Sequence, residues 1–265
     1  MVSFVTTRPL PIIKDHVLEL WLLRDDGAPR IGLPKPYVEI VISLAGTHFW
    51  KPTADGPESE YRTAWVTPVQ EGPRHARAIG ERVLIGARLY PWVAHGWLGA
   101  IPPGDGTPPP HLSEFIGDDA QHLREWLLDA PSESALFQRF GTWLGACLEA
   151  VDPDTSRLRE LADEAPPSVE ALARSLNVSG PTLRRSFASK NGLSPKRWLI
   201  LHRIDRILRD PRLSDPTSSL AELAAEYGYA DQAHLTREMI RFAGTAPSGM
   251  RKRDPSYPPH MRGED

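Results

Sequence analysis

Residues 219–247 read SLAELAAEYGYADQAHLTREMIRFAGTAP, and this stretch predicts two short helices joined by a tight turn. Its first apolar residues recur three and four positions apart, as one face of a helix requires: Leu220, Leu223, Ala224 and Tyr227. Ser219 and Glu222 form a capping box at the start of that helix, and Gly228 suits the turn that follows. The second helix is expected from about Asp231 to Phe242.

The same pattern occurs upstream, where residues 168–195 read SVEALARSLNVSGPTLRRSFASKNGLSP. The first helical face lies 51 residues before its counterpart and the closing Gly-x-x-Pro lies 52 residues before, so the turns differ by one residue. Asn177 takes the turn position, and the second helix of this copy is expected from about Ser179 to Lys190. The side chains expected to be buried on the two second helices are Leu183, Phe187, Leu235 and Met239. Such self-similarity indicates two copies of one structural unit.

A short helix, a tight turn and a second amphipathic helix follow the plan of a helix-turn-helix, whose second helix enters the DNA major groove. Pro195 to Arg209 carries apolar residues at helical spacing and predicts a rigid helix between the copies, ending before Asp210-Pro211. At about 1.5 Å per residue this helix spans roughly 20 Å. The two second helices are therefore expected in adjacent major grooves, about 34 Å apart.

The charge of the chain is uneven. Residues 1–154 hold 13 Lys and Arg against 20 Asp and Glu, a net of −7, whereas residues 155–265 hold 18 against 14, a net of +4. This contrast indicates that only the C-terminal part meets a polyanion. No apolar run reaches the roughly 18 residues of a membrane span, residues 1–10 do not resemble a signal peptide, and Cys147 is the only cysteine. A cytoplasmic, nucleoid-associated location is expected.

From about residue 155 to 253 the chain resembles the DNA-binding domain of the AraC-type (AraC/XylS) transcriptional regulators. The motifs that carry the resemblance are SVEALA (168–173), LRRSF (183–187), GLSP (192–195), LAELAAEYGY (220–229), Arg237 and GTAP (244–247). Met239 stands where phenylalanine is common in the family, and Ile240 stands where lysine is common. The second unit is therefore expected either to contact phosphates less strongly or to pack Ile240 against another surface.

The resemblance implies that the outward side of each second helix contacts DNA. The candidate residues are Ser179, Pro181, Thr182, Arg184, Arg185 and Lys190 in the first unit and Gln232, His234, Arg237 and Arg241 in the second. Arg184 and Arg185 are the first candidates for base reading, because arginine bonds O6 and N7 of guanine together, and Gln232 can pair with adenine. The alternative is that some of these arginines only solvate a helix face.

The N-terminal half predicts a small all-β unit. Runs rich in β-branched and apolar residues, separated by Gly, Pro and Asp clusters, occupy residues 17–23, 38–44, 64–69 and 83–89. In the second run, apolar Val38, Ile40 and Ile42 alternate with polar Glu39 and Ser43, as in a half-buried strand. Prolines interrupt regular structure over residues 102–110, and two helices are expected beyond them, over 112–128 and 134–151.

This half resembles the cupin-like sensory domains often joined to AraC-type modules, with GARLYP (86–91) as the local match. The expected fold class is α+β with two domains, a small β-barrel or cupin-like domain with trailing helices and an all-α domain with tandem helix-turn-helix units. The expected boundaries are 1–151 for a sensory or oligomerisation domain (β-rich over 1–101, helical over 112–151), 155–253 for the DNA-binding domain, and 254–265 for a flexible tail.

Seven of the eight tryptophans lie in the N-terminal half, where they either line a ligand pocket or fill the core. The candidate ligand-binding residues are Trp21, Trp50, Trp65, Trp92 and Arg88. Four histidines invite comparison with a cupin metal site: His48, His75, His95 and His111. They lack the His-x-His pair with a following Glu, and the sequence has no nucleophile motif, phosphate loop or dinucleotide fingerprint. We therefore expect no catalytic residue, metal or cofactor.

Three functions are compatible with these patterns. The favoured one is a sequence-specific DNA-binding transcriptional regulator, modulated by a small-molecule effector or by oligomerisation through the N-terminal domain. The second is a cupin-type enzyme fused to a DNA-binding domain, and the third is a ligand-independent regulator whose N-terminal domain only docks a partner. The partners of the favoured function are double-stranded DNA, a small-molecule effector, a second copy of the chain and RNA polymerase, without a membrane.

Overall fold

The computed structural model describes residues 2–102, 104, 106–151, 161, 166–250 and 261–263. An antiparallel β-sheet is formed from the N-terminal part and helices follow it, which confirms the expected α+β class. The expected start of the DNA-binding domain, near residue 155, lies outside the described residues, and the domain boundaries stay a prediction.

The long strand β7 (Arg74–Leu89) lies at the centre of the sheet. The other N-terminal strands are β1 (Ser3–Thr7), β2 (Val17–Asp25), β3 (Arg30–Gly32), β4 (Val38–Lys51), β5 (Ser59–Tyr61) and β6 (Ala64–Thr67). One edge of β7 pairs with β4, and the other edge pairs with β2 in its second half and β3 in its first. Strand β4 also pairs with β5 and β6, and β1 extends the sheet beyond β2. Register shifts in β4 between Ser43 and Thr47 disrupt the ladder and bend the strand.

The two faces of this sheet have different partners, because successive side chains of a strand point to opposite sides. One face contributes to the main hydrophobic core, with residues such as Leu20, Leu22, Ile40, Ile42 and Ile85. Phe140 and Leu144 of a later helix belong to the same core. The opposite face carries a separate small apolar cluster of Trp21, Leu23, Val41 and Leu84. The second face is the one that lines a cavity.

The helices of the N-terminal half are α1 (Pro91–Leu98), α2 (Ser113–Ile116), α3 (Asp119–Leu128) and α4 (Glu133–Leu148). The single helix expected over 112–128 is wrong, because Gly117 adopts φ 61° and separates α2 from α3. Helix α4 begins at the cap Ser132, whose hydroxyl accepts from the Ala135 amide, and ends three residues before the expected position. Helix α1 was not expected, although Pro91 at its first position is a known start signal.

The C-terminal part repeats one arrangement of helices. Its helices are α5 (Val169–Ser175), α6 (Gly180–Asn191), α7 (Pro195–Arg209), α8 (Leu220–Glu226), α9 (Gln232–Ala243) and α10 (Pro247–Met250), with a 3₁₀ turn at Pro211–Leu213. The turn residues Asn177 and Gly228 both adopt the left-handed conformation, at φ 54° and 74°. Asparagine and glycine enter that conformation at least cost, so the turns occur where the sequence places them.

The chain returns to the sheet near its C-terminus. Met261–Gly263 forms β8, which pairs antiparallel with β3 so that Met261 lies opposite Gly32. Residues 261–263 of the tail expected over 254–265 thus form a strand, because the edge of β3 offers backbone groups that a strand can pair. The remaining residues of that tail lie outside the described residues.

The helices after residue 166 also contact the sheet and α1. Helix α1 packs against α6, and the buried hydroxyl of Tyr37 donates a hydrogen bond to Asp205 Oδ2 of α7 over 3.1 Å. On the surface, Arg197 at the start of α7 lies 3.1 Å from Glu71. These contacts fix α7 against the N-terminal half.

Candidate DNA-binding surface and ligand cavity

Helix α6 has one buried and one exposed side, as a DNA-reading helix requires. Leu183 and Phe187 are buried, and the Phe187 ring meets the Trp198 ring of α7 edge-on with centroids 5.4 Å apart. The exposed candidate residues are Pro181, Thr182, Arg184 and Arg185. The structure therefore brings these four candidates together on the outward side of α6.

Ser179 has a structural role as well. Its hydroxyl caps α6, accepting from the Thr182 amide over 3.3 Å and bonding the Thr182 hydroxyl over 2.8 Å. Substitution of such a cap typically costs about 1 kcal/mol. The side chain of Lys190 lies outside the described residues, so its predicted DNA contact stays a prediction.

Helix α9 repeats this arrangement in the second unit. Leu235 and Met239 are buried, so Met239 fills the core position where the family commonly has phenylalanine. Of its candidates, Arg237 and Arg241 are exposed on the outward side, and His234 is half-buried against Tyr229. Gln232 is exposed at the first position of the helix. Ile240 is 52% exposed and thus does not pack into the described part of the chain.

Asp210 ties the helix between the two units to the second unit. Arg212 donates to its carboxylate over 2.6 Å, and the Tyr227 hydroxyl donates to it over 2.9 Å. These hydrogen bonds lower the pKa of Asp210 to about 2, and the bond from Arg212 has the largest effect. The end of α7 is therefore held against the end of α8, which gives the two units a defined spacing.

A cavity of about 150 Å³ lies on the sheet face opposite the main core. Its aromatic lining consists of Phe4, Trp21, Phe49, Trp50, Tyr61 and Trp65. The indole Nε1 atoms of Trp21 and Trp50 are buried and have no hydrogen-bond partner among the described residues. A cavity of this size holds about one benzene-sized ring.

The charged lining of the cavity is mostly basic, with Arg30, Lys35, Arg74, Arg77, Arg82 and Arg88 against Glu39. The Arg74 guanidinium lies 5.1 Å from the centre of the Trp50 ring and donates to the Gly104 carbonyl over 2.6 Å. Arg82 donates to Asp25 over 2.9 Å. Arg30 and Arg77 likewise pair with carboxylates outside the lining, Asp26 and Glu58. The cations that line the cavity itself still outnumber its one carboxylate, which favours an anionic ligand.

Four of the five predicted ligand residues line this cavity together: Trp21, Trp50, Trp65 and Arg88. Trp92 does not, because it lies in the first turn of α1 and stacks on Tyr90 within the main core, with ring centroids 4.7 Å apart. Sequence reasoning missed Lys35 and Arg74. Lys35 lies in the connection between β3 and β4, and Arg74 is the first residue of β7. Only the pairing of distant parts of the chain brings both to the cavity.

The four histidines compared with a metal site are dispersed. His48 lines the cavity, where its Nε2 lies 2.9 Å from Ser43 Oγ, and burial together with Arg82 lowers its pKa to about 4. His111 lies beside Tyr61, and His95 lies in α1 near Gly192. Among the described residues, no group of three or more His, Cys, Asp or Glu side chains is placed to hold a metal ion.

In the described ranges, no helix combines the length and the apolar character that crossing a membrane requires.

Comparison with known proteins gives one family match. Residues 172–253 match the family model of a helix-turn-helix domain. Comparison with curated protein sequences gives no match.

Similar solved structures include two of ToxT from Vibrio cholerae. One is 10% identical and covers 93% of this chain and 97% of that chain with a TM-score of 0.46. The other, bound to an unsaturated fatty acid, is 9% identical and covers 93% and 94% with a TM-score of 0.47. A vicilin from Solanum melongena is 10% identical over 33% of this chain and 28% of its own, with a TM-score of 0.27.

The family match spans residues 172–253, which include both second helices, α6 and α9, and the α7 spacer between the units. The repeated caps and left-handed turns at Asn177 and Gly228 provide the geometry of that plan twice. The chain therefore carries a C-terminal helix-turn-helix DNA-binding domain.

Proposed function

We propose that the chain is a sequence-specific transcriptional regulator whose DNA binding is modulated by a small, flat, apolar anion held in the cavity of the sheet. One observation carries the proposal: the same chain contains two helix-turn-helix units and an aromatic cavity with a basic lining. The proposed regulator acts on double-stranded DNA. Its resemblance to the AraC-type regulators implies a second copy of the chain and RNA polymerase as further partners.

Exposure and charge support the DNA-binding part of the proposal. Arg184 and Arg185 on α6 and Arg237 on α9 are exposed on the sides that face away from the domain core. Residues 168–253 hold 15 basic against 8 acidic residues, a net charge of +7. Phosphate contacts then supply affinity, and arginine contacts to base edges supply specificity.

The cavity supports the ligand class. Its volume of about 150 Å³ admits one aromatic ring, which the indoles of Trp21, Trp50 and Trp65 would contact. A single carboxylate on that ring would meet the basic lining near Lys35 and Arg74. Benzoate is the simplest molecule that combines these properties.

The DNA-binding part is tested by selecting duplexes from a random pool with the full-length chain. We expect enrichment of one sequence class, with affinity well above that for unrelated duplexes at the same salt concentration. Failure to enrich any sequence would contradict the proposed specificity.

The ligand part is tested by thermal unfolding with benzoate, and benzyl alcohol serves as the uncharged control. A ligand that binds only the folded state raises the unfolding midpoint, so benzoate is expected to raise it more than benzyl alcohol does. Equal shifts would contradict the anionic class. Specific DNA binding with no shift for either compound would favour the ligand-independent regulator.

A further inference from the structure

A row of ion pairs connects the cavity with the helix between the two helix-turn-helix units. In the cavity lining, Lys35 and Arg88 both pair with Glu39, the Arg88 Nε atom over 2.8 Å. Arg88 also pairs with Glu19 on strand β2. An oxygen of Glu19 in turn lies 3.5 Å from the guanidinium of Arg209, the last residue of α7.

The register of the sheet fixes the middle of this row. Glu19 on β2 and Glu39 on β4 are the direct cross-strand partners of Arg88 on β7, so the three side chains share one face. At the far end, Arg209 lies 3.2 Å from Asp205 of its own helix. The row thus alternates three cations with three carboxylates and is neutral as a whole.

Most of the row is buried. The side chains of Lys35, Glu39 and Arg88 are only 10%, 6% and 4% exposed. Although burial alone would raise the pKa of Glu39, Lys35 and Arg88 hold it well below its usual range. Buried ion pairs often contribute less to stability than apolar residues of similar volume would. Stability is therefore a poor explanation for a row that joins two separate sites.

We propose that this row transmits the state of the cavity to α7, an inference that rests on the ligand site proposed above. An anion bound beside Lys35 competes with Glu39 for that ammonium group. Glu39 then pairs with Arg88 alone, and the ion pair between Arg88 and Glu19 weakens. As a result, Glu19 attracts Arg209 more strongly. Arg209, otherwise divided between Glu19 and Asp205, tightens the bridge between β2 and α7. The helix that spaces the two DNA-reading units is thereby held more firmly against the sheet.

Lys35→Met tests this transmission without any ligand, because it frees Glu39 from the ammonium group as a bound anion would. The measurement is amide hydrogen exchange of residues 204–209 in the full-length chain. We expect exchange to slow about 5-fold, the lower end of typical coupling between sites. In an Arg209→Met background the same substitution is expected to change nothing. Lys35→Gln replaces Lys35→Met if the methionine variant does not fold.

Arg206→Met supplies the matched control background. Arg206 lies on the same helix, lines the same groove between β2 and α7, and stacks on the Tyr227 ring at 5.2 Å. It forms no ion pair with a carboxylate among the described residues. Lys35→Met must therefore keep its effect when Arg206 is methionine.

Slower exchange in the wild-type and Arg206→Met backgrounds, but not in Arg209→Met, supports the transmission. Unchanged or faster exchange, or an equal change in the Arg209→Met background, overturns it. No ligand enters this experiment. A failure of benzoate to bind would therefore contradict the proposed ligand but would not change the exchange result.

Discussion

Trp21 and Gly86 face each other across strands β2 and β7, and a Cβ atom on Gly86 would lie 2.2 Å from Cζ2 of the indole. No other residue at position 86 leaves room for the indole in this place. The close approach of a ring to bare backbone is the reason for a glycine within the central strand. The indole held there forms part of the cavity wall.

Gly86→Ala is therefore expected to displace the Trp21 ring into the cavity. We expect a loss of about 1 to 3 kcal/mol in the free energy of unfolding, as for other overpacked cores, and loss of the benzoate-dependent rise in midpoint. Denaturant titration and thermal unfolding measure both. Gly72→Ala is the control, since a methyl group there meets no atom within 4 Å. Equal effects of the two substitutions would contradict the packing argument.

Arg184→Ala and Arg237→Ala are each expected to weaken specific DNA binding by about 1 to 3 kcal/mol, because each removes a proposed base contact. Affinity for unrelated duplexes, which depends on phosphates, should remain mostly intact. Titration of selected and scrambled duplexes at one salt concentration measures the difference. If both duplexes lose affinity equally, these arginines contact phosphates and do not read bases.

Asn177→Val is expected to destabilise the first helix-turn-helix unit by about 1 to 2 kcal/mol, because a β-branched residue resists the left-handed conformation at φ 54°. Asn177→Gly, which matches Gly228 of the second unit, should change the free energy of unfolding by only a few tenths of a kcal/mol. Because Asn177 is exposed, packing losses do not complicate the comparison. Equal destabilisation by valine and glycine would show that the turn does not impose this conformation.

His202 is expected to lower the free energy of unfolding in mild acid. Burial lowers its pKa to about 4, against about 6.5 in an unfolded chain, so the unfolded state binds the proton more readily between these values. The stabilisation is present above pH 6.5 and is lost as the pH falls toward 4. Between pH 7 and 5 this residue accounts for about 2 kcal/mol.

His202→Gln tests this assignment by urea unfolding at pH 7 and pH 5. The variant is expected to lose about 2 kcal/mol less than the wild-type chain between the two values, whatever its stability at pH 7. His48 has a similarly lowered pKa and titrates in both proteins, so its contribution cancels. A pH dependence identical to that of the wild type would show that His202 is not the group responsible.

The C-terminal domain could be predicted almost completely from the sequence, because its determinants are local. Apolar spacing, the caps Ser219 and Asp231, and the turn residues Asn177 and Gly228 act within a few positions of each other. The exposed sides of α6 and α9 follow from the same periodicity. The family match confirms a helix-turn-helix domain there, while the roles of single arginines in DNA contact stay predictions.

The cavity and its connection to α7 were decided by tertiary structure. Trp21 and Trp50 carry no local signal that separates them from Trp92, which the fold places in the main core. Glu19 and Arg88 become neighbours only because β2 pairs with β7 in one register. Sheet pairing joins residues that are distant along the chain, and its register sets which side chains share a face. The sequence by itself determined the two helix-turn-helix units, whereas long-range strand pairing determined the cavity and the row of ion pairs between it and α7.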